Sequence, residues 1–198
     1  MSLPKILVLS GSTRVGSHNT RLAALAAKEL SLLDADVTRI SLTDYTMPIY
    51  DADLEKETGV PHNAVKLKQL IAVHQGVFIT SPEYNASVTP LLKNMLDWIG
   101  NVRDKNEPPL AVYQNRIFAI GAASPGPSGG AQSMIALRQV LAVGCRALVM
   151  GEQVAVPFAK QAFDEMDNLK DAGTANQLKL VTRKLVDLTG MLVRDNVR

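Results

Sequence analysis

The residues able to do chemistry in this 198-residue chain gather in three short stretches. The first is Gly11-Ser12-Thr13-Arg14-Val15-Gly16-Ser17-His18-Asn19, directly after the apolar run Ile6–Leu9. The second is Ser81-Pro82-Glu83-Tyr84-Asn85-Ala86-Ser87, and the third is Ser124-Pro125-Gly126-Pro127-Ser128-Gly129-Gly130. The first stretch is an anion site in outline. Ser12, Thr13 and Ser17 carry hydroxyl donors, and Arg14 carries a permanent positive charge. If a strand feeds a helix here, the unpaired N–H groups and dipole of the helix start add to that field.

Three phosphate-binding signatures compete for this stretch. The dinucleotide fingerprint needs three glycines, G-x-G-x-x-G, and only Gly11 and Gly16 are present. The nucleoside triphosphate loop needs Lys and Ser/Thr after its second glycine, where Ser17 and His18 stand. Without that lysine the β- and γ-phosphates lose their counter-charge. A monophosphate in a hydroxyl-lined loop remains, the way doubly wound proteins of the flavodoxin type hold flavin mononucleotide.

The elements that must position these stretches follow from periodicity. Apolar runs predict strands at Ile6–Leu9, Ala35–Leu42, Gly76–Ser81, Arg116–Ala123 and, briefly, Ala147–Met150. Three-to-four spacing predicts helices over Thr20–Leu33, His62–His74, from Pro90 to near Gly100, Ala131–Val143 and Thr174–Val193. Asn19 is the expected N-cap of the first helix and Thr89 that of the third. Thr43–Pro61, with Asp51, Asp53, Glu55 and Glu57, shows no period and is expected to be a long solvated surface connection. The alternation β-α-β-α-β-α-β-α-β-α implies an α/β fold. The expectation is one domain over 1–198, a five-stranded parallel sheet with helices on both faces. Ligands of such sheets bind beyond the carboxyl ends of the strands, where all three stretches fall.

The three stretches together resemble the NAD(P)H-dependent FMN reductases, a family that includes quinone reductases, azoreductases and chromate reductases. The likeness rests on G-S-x-R-x-x-S-x-N at Gly11–Asn19 and on S-P-E-Y-N-x-S at Ser81–Ser87. It rests also on L-K-N-x-x-D-W at Leu92–Trp98 and the glycine-rich turn at Ser124–Gly130. The resemblance implies a flavodoxin-like doubly wound fold with strand order 2-1-3-4-5. It implies that Ser12, Arg14, Ser17 and Asn19 hold the FMN phosphate. Pro82, Glu83, Tyr84 and Asn85 would line the isoalloxazine, and Ser124 and Gly126 would flank its pyrimidine end. Hydride would pass from NADPH or NADH through flavin N5 to a small acceptor such as a quinone, azo dye, free flavin or metal oxyanion. One shared site would give ping-pong kinetics, with no catalytic side chain because the flavin carries the chemistry. It also implies a homodimer or homotetramer, for which Leu92, Met95, Leu96 and Ile99 offer apolar surface. Two positions depart from the family's pattern: Thr89-Pro90 where Pro-Gly is frequent, and Ala131-Gln132 where an arginine often follows the glycine pair.

The alternative from another class is a flavodoxin-like electron carrier or a redox-sensing regulatory protein. Such carriers are strongly acidic, whereas this chain has net charge +2. That charge calls for no nucleic acid partner. No apolar stretch reaches the ~18 residues of a membrane span, and MSLPK leads into the first strand without a secretory signal. A cytoplasmic protein is expected. The single cysteine, Cys145, sits among apolar neighbours and reads as a packed thiol. His18, His62 and His74 read as surface residues, Trp98 as core or subunit interface.

Overall fold

The computed structural model describes residues 3–195. Among them five strands form one parallel sheet: β1 (Lys5–Ser10), β2 (Asp36–Ile40), β3 (Gly76–Thr80), β4 (Ile117–Ala123) and β5 (Leu148–Val156). Their order is β2-β1-β3-β4-β5, as expected. The helices are α1 (His18–Ser31), α2 (Ala52–Thr58), α3 (His62–Val73), α4 (Pro90–Asn101), α5 (Ala131–Gln139) and α6 (Ala172–Asp195).

The central strands are buried on both faces because their residues alternate between two cores. Ile6, Val8 and Phe78 pack with Leu22, Ala26, Leu178 and Leu185 of α1 and α6. Leu7, Leu9, Val77 and Ile79 pack with Leu67, Ile71, Leu92, Met95 and Leu137 of α3, α4 and α5. Each fully buried Leu or Ile is worth about 1.5–3 kcal/mol over exposure, so the register of every central strand is strongly fixed.

Several elements differ from the sequence expectation. The connection after β2 contains α2, a polar helix with no buried residue. Its signals are local: the Asp51 carboxylate accepts the Asp53 and Leu54 N–H groups, both at 2.9 Å, and Gly59 at φ 77° ends it. Periodicity has nothing to register in such a helix. β5 runs to Val156, well past Met150, because it is an edge strand with a register irregularity. Phe118 pairs with Val149, but Ile120 pairs with Gln153. His74 is buried, its Nδ1 lying 2.6 Å from the Leu70 carbonyl oxygen. Leu92, Met95, Leu96 and Ile99 are all inside the protomer core, so α4 has no apolar face to spare for a second subunit. Trp98 is fully buried, donating its indole N–H to Pro48 O at 2.7 Å.

Thr89 does cap α4, accepting the Leu92 N–H, and its hydroxyl also donates to Gly11 O at 2.7 Å. One side chain thereby ties the start of α4 to the loop after β1. α5 runs into a π-helical turn, Val140–Gly144. No helix among the described residues is long and apolar enough to cross a membrane.

Candidate functional site

The backbone ladder continues one residue past each central strand. Gly11 N–H donates to Thr80 O at 2.8 Å, Ser81 N–H to Gly121 O at 3.0 Å, and Ser124 N–H to Val156 O at 3.1 Å. The three chemistry-bearing loops therefore leave the sheet side by side. They enclose a cavity of about 360 Å³. Ser12, Arg14, Ser17, Asn19, Pro82, Glu83, Tyr84 and Ser124 all line it, joined by His18, Ala123, Pro125 and Lys160. Asn85 and Gly126, expected in the wall, are not among its lining residues.

One end of the cavity is strongly positive. The loop after β1 turns at Gly16, whose φ is 69°, and Ser17 caps α1 by accepting the Thr20 N–H at 3.4 Å. That leaves the N–H groups of His18 and Asn19 at the free start of the helix. Arg14 is exposed and folded over its own loop, donating to the carbonyls of Val15 and Gly16, both at 3.3 Å. His18 titrates below the usual histidine range. Burial is the main cause, followed by the positive charges of Arg14, Arg21 and Lys160. Its Nδ1 is buried and has no hydrogen-bond partner among the described residues. Arg21 is paired with Asp167 at 2.5 Å, whereas Arg14 and Lys160 make no ion pair among the described residues. Two unneutralised cations, free N–H groups and an orphaned ring nitrogen around one point suit a doubly charged anion.

The structure gives Asn19 a different place from the expected one. It lies inside α1 rather than capping it, and it is 3% exposed. Its amide donates to Ala123 O at 2.8 Å and its carbonyl accepts the Ala123 N–H at 2.9 Å. Both side-chain polar atoms thus clamp the start of α1 to the end of β4, and only its backbone N–H is left for a ligand.

The other end is built by the second and third loops. The Tyr84 and Ser87 backbones exchange two hydrogen bonds of 3.0 Å around Asn85 and Ala86, at φ 51° and 61°. This tight turn presents Tyr84, 53% exposed, at the cavity mouth and directs Asn85 to the turn's tip instead of the wall. Glu83 reaches across to α5, where its carboxylate accepts the N–H groups of Gln132 and Ser133 at 3.1 and 3.3 Å. A negative charge there complements a helix start whose own N-cap, Gly130, has no side chain. Gly130 adopts φ 89°, and a Cβ on it would stand 2.7 Å from the Ala122 Cβ, so glycine is required. Gly126 braces the loop from beneath: its carbonyl accepts the N–H groups of Gly129 and Phe158.

Sequences of known proteins decide what kind of molecule carries this site. The family described as NADPH-dependent FMN reductase matches residues 4–161. This chain belongs to that family. It is a flavin-dependent oxidoreductase that works with FMN and NAD(P)H. The quinone reductase of Escherichia coli strain K12 is 36% identical over 149 residues, covering 75% of this chain and 74% of that protein. An NAD(P)H-dependent FMN reductase of Pseudomonas aeruginosa is 30% identical, covering 84% and 85% of the two chains. In architecture the reductase resembles FerB, a flavoenzyme NAD(P)H:(acceptor) oxidoreductase from Paracoccus denitrificans, with a TM-score of 0.79. That likeness covers 96% of this chain and 98% of the other at 23% identity.

Four lining residues were not assigned by sequence reasoning, and of these Lys160 and His18 bear on the charge of the site. Lys160 lies in the segment leaving β5, which carries no motif, and only the fold brings it to the loop after β1. His18 is part of the first motif, and its position at the first turn of α1 was the available signal. Cys145 is 6% exposed, and burial pushes its thiol up to about 11, so it carries no thiolate at neutral pH. Among the described residues no three His, Cys, Asp or Glu side chains converge on a metal site.

Proposed function

We propose that this reductase holds FMN in the cavity. The phosphate would lie against the Ser12–Asn19 loop, and the ring between the Pro82–Tyr84 and Ser124–Pro125 loops. One observation carries the reading: a single cavity has its excess positive charge at one end and an exposed aromatic residue at the other. A phosphate monoester carries close to two negative charges near neutral pH. Ser12, Ser17, the N–H groups of His18 and Asn19, Arg14 and Lys160 supply donors and charge for it. Ser124, Pro82 and Pro125 supply the walls for a flat ring.

Bound there, FMN would supply hydride chemistry between NAD(P)H and an oxidised acceptor. The protein's residues position and shield. Tyr84 stands at the mouth, where a nicotinamide and an acceptor ring would pack in turn, so the two would exclude each other and give ping-pong kinetics. The quinone reductase relative makes a quinone the acceptor we favour over azo dyes, free flavins and metal oxyanions. No wall residue is needed as nucleophile, and the Glu83 carboxylate is committed to α5.

The test is a flavin titration. Arg14→Gln and Lys160→Gln should each weaken FMN binding about tenfold, the worth of one charged hydrogen bond, and leave riboflavin binding unchanged because it has no phosphate. Anaerobic NADPH should bleach the yellow holoenzyme, and a quinone should restore its colour, with parallel lines in double-reciprocal plots. No flavin bound after reconstitution would overturn the assignment.

A further inference from the structure

Where Pro-Gly is frequent in the family, this chain has Thr89-Pro90, and a proline would bring no hydroxyl to that position. Thr89 is 3% exposed, at the start of α4. Its Oγ1 accepts the Leu92 N–H at 3.2 Å and donates to Gly11 O at 2.7 Å, so its hydroxyl proton is committed to the loop after β1. Gly11 is held from a second side, its N–H donating to Thr80 O at 2.8 Å. The approach to α4 is close: a Cβ on Gly11 would stand 3.0 Å from the Leu92 Cβ. The protein itself thus fixes the peptide groups on both sides of Gly11.

A peptide unit is planar and trans, so its C=O and the following N–H point in opposite directions. With Gly11 O aimed at Thr89, the Ser12 N–H must point away from α4. α4 packs on one face of the sheet and α1 on the other, so that N–H turns toward the side on which α1 begins. It has no hydrogen-bond partner among the described residues. Ser12 lines the cavity, and its Oγ accepts the Arg14 N–H at 3.3 Å, which leaves its hydroxyl proton to donate.

We infer that Thr89 is a positioning residue for the FMN phosphate: its hydroxyl fixes the Gly11–Ser12 peptide so that the Ser12 N–H donates to the phosphate. The inference rests on the flavin reading above. Thr89 does not line the cavity and acts through the peptide alone. It supplies a donor aimed in advance, so binding does not have to order the start of the loop.

The test titrates the flavin-free full chain with FMN and with riboflavin, which lacks the phosphate. Thr89→Val and Thr89→Ala both remove the hydroxyl, the first keeping the shape, whereas Thr89→Ser retains it. Thr89→Val should weaken FMN binding about tenfold, the lower end for a hydrogen bond to a charged group, and leave riboflavin binding unchanged. Thr89→Ala should show the same split, and Thr89→Ser should keep the wild-type FMN affinity. In the wild-type protein the Ser12 amide proton should move downfield on adding FMN and stay in place with riboflavin. Equal losses for FMN and riboflavin in the variants without a hydroxyl would give Thr89 a structural role only and overturn the inference. Unchanged FMN affinity in those variants, a tenfold loss in Thr89→Ser, or a Ser12 amide that FMN does not move would each overturn it too. Should neither variant without a hydroxyl fold, the Ser12 amide of the wild-type protein decides. Wild-type protein that binds FMN alongside any of these contrary results sinks this inference alone, and wild-type protein that binds no flavin sinks the earlier reading.

Discussion

His18 is the most informative single residue of the site, because its protonation reports what lies next to it. Burial and three neighbouring cations hold it below the ordinary histidine range. Between that lowered value and the ordinary one, the unfolded chain binds the extra proton and the folded chain does not. The stability it contributes is therefore complete above the ordinary value and is lost as pH falls through the folded one. A doubly charged phosphate reverses the local field and favours the imidazolium form. Proton NMR of the His18 ring should show the lowered value in the flavin-free protein and a clear upward movement on adding FMN. Movement in the other direction, or none, would place the phosphate elsewhere. Arg14 and Lys160 act at the same scale, as positive charges beside the His18 ring.

Among the elements, the junction of α1 with β4 carries the site's rigidity. Asn19 makes two buried hydrogen bonds to the Ala123 backbone across 104 positions of chain. Asn19→Ala leaves a buried N–H and C=O unpaired and should cost about 2–4 kcal/mol in urea unfolding, with the denaturant slope unchanged. FMN binding should weaken as well, because the floor beneath the cavity loses its fixed distance to α1. A loss of binding with no loss of stability would instead point to direct contact between the Asn19 side chain and the ligand. α5 shows the same logic from the other side: its start is capped by Glu83 from a different loop, so a residue of the second motif serves the helix that follows the third.

For the molecule as a whole, the two cores on opposite faces of the sheet hold the scaffold without any ligand, and the site adds loops with little apolar burial of their own. Cofactor binding should therefore stabilise the protein mainly by mass action. At about 100 times its dissociation constant, FMN should add about 2.7 kcal/mol, which for a chain of this size corresponds to a rise in Tm of about 5–10 °C. Differential scanning calorimetry checks this. The rise should shrink at high salt, because Arg14 and Lys160 are exposed and their field is screened. A salt-independent rise would show that the ring, not the phosphate, dominates binding.

The strand order came only with the family resemblance that the motifs carry; the sequence by itself determined the alternating α/β sheet and the motifs that sit at its carboxyl edge. Those follow from local periodicity and from loops whose residue types announce an anion. It did not determine α2, whose signal lies only in its caps, or the length of β5, where a register irregularity at an edge interrupts the pattern. Only the tertiary structure decided that Asn19 clamps β4, that His74 is buried, that the apolar residues of α4 are spent inside the protomer, and that Lys160 joins the first loop. Each depends on contacts between residues far apart in the chain. Such contacts leave no spacing to read, because the distance they close is set by the packing of the whole sheet and its helices.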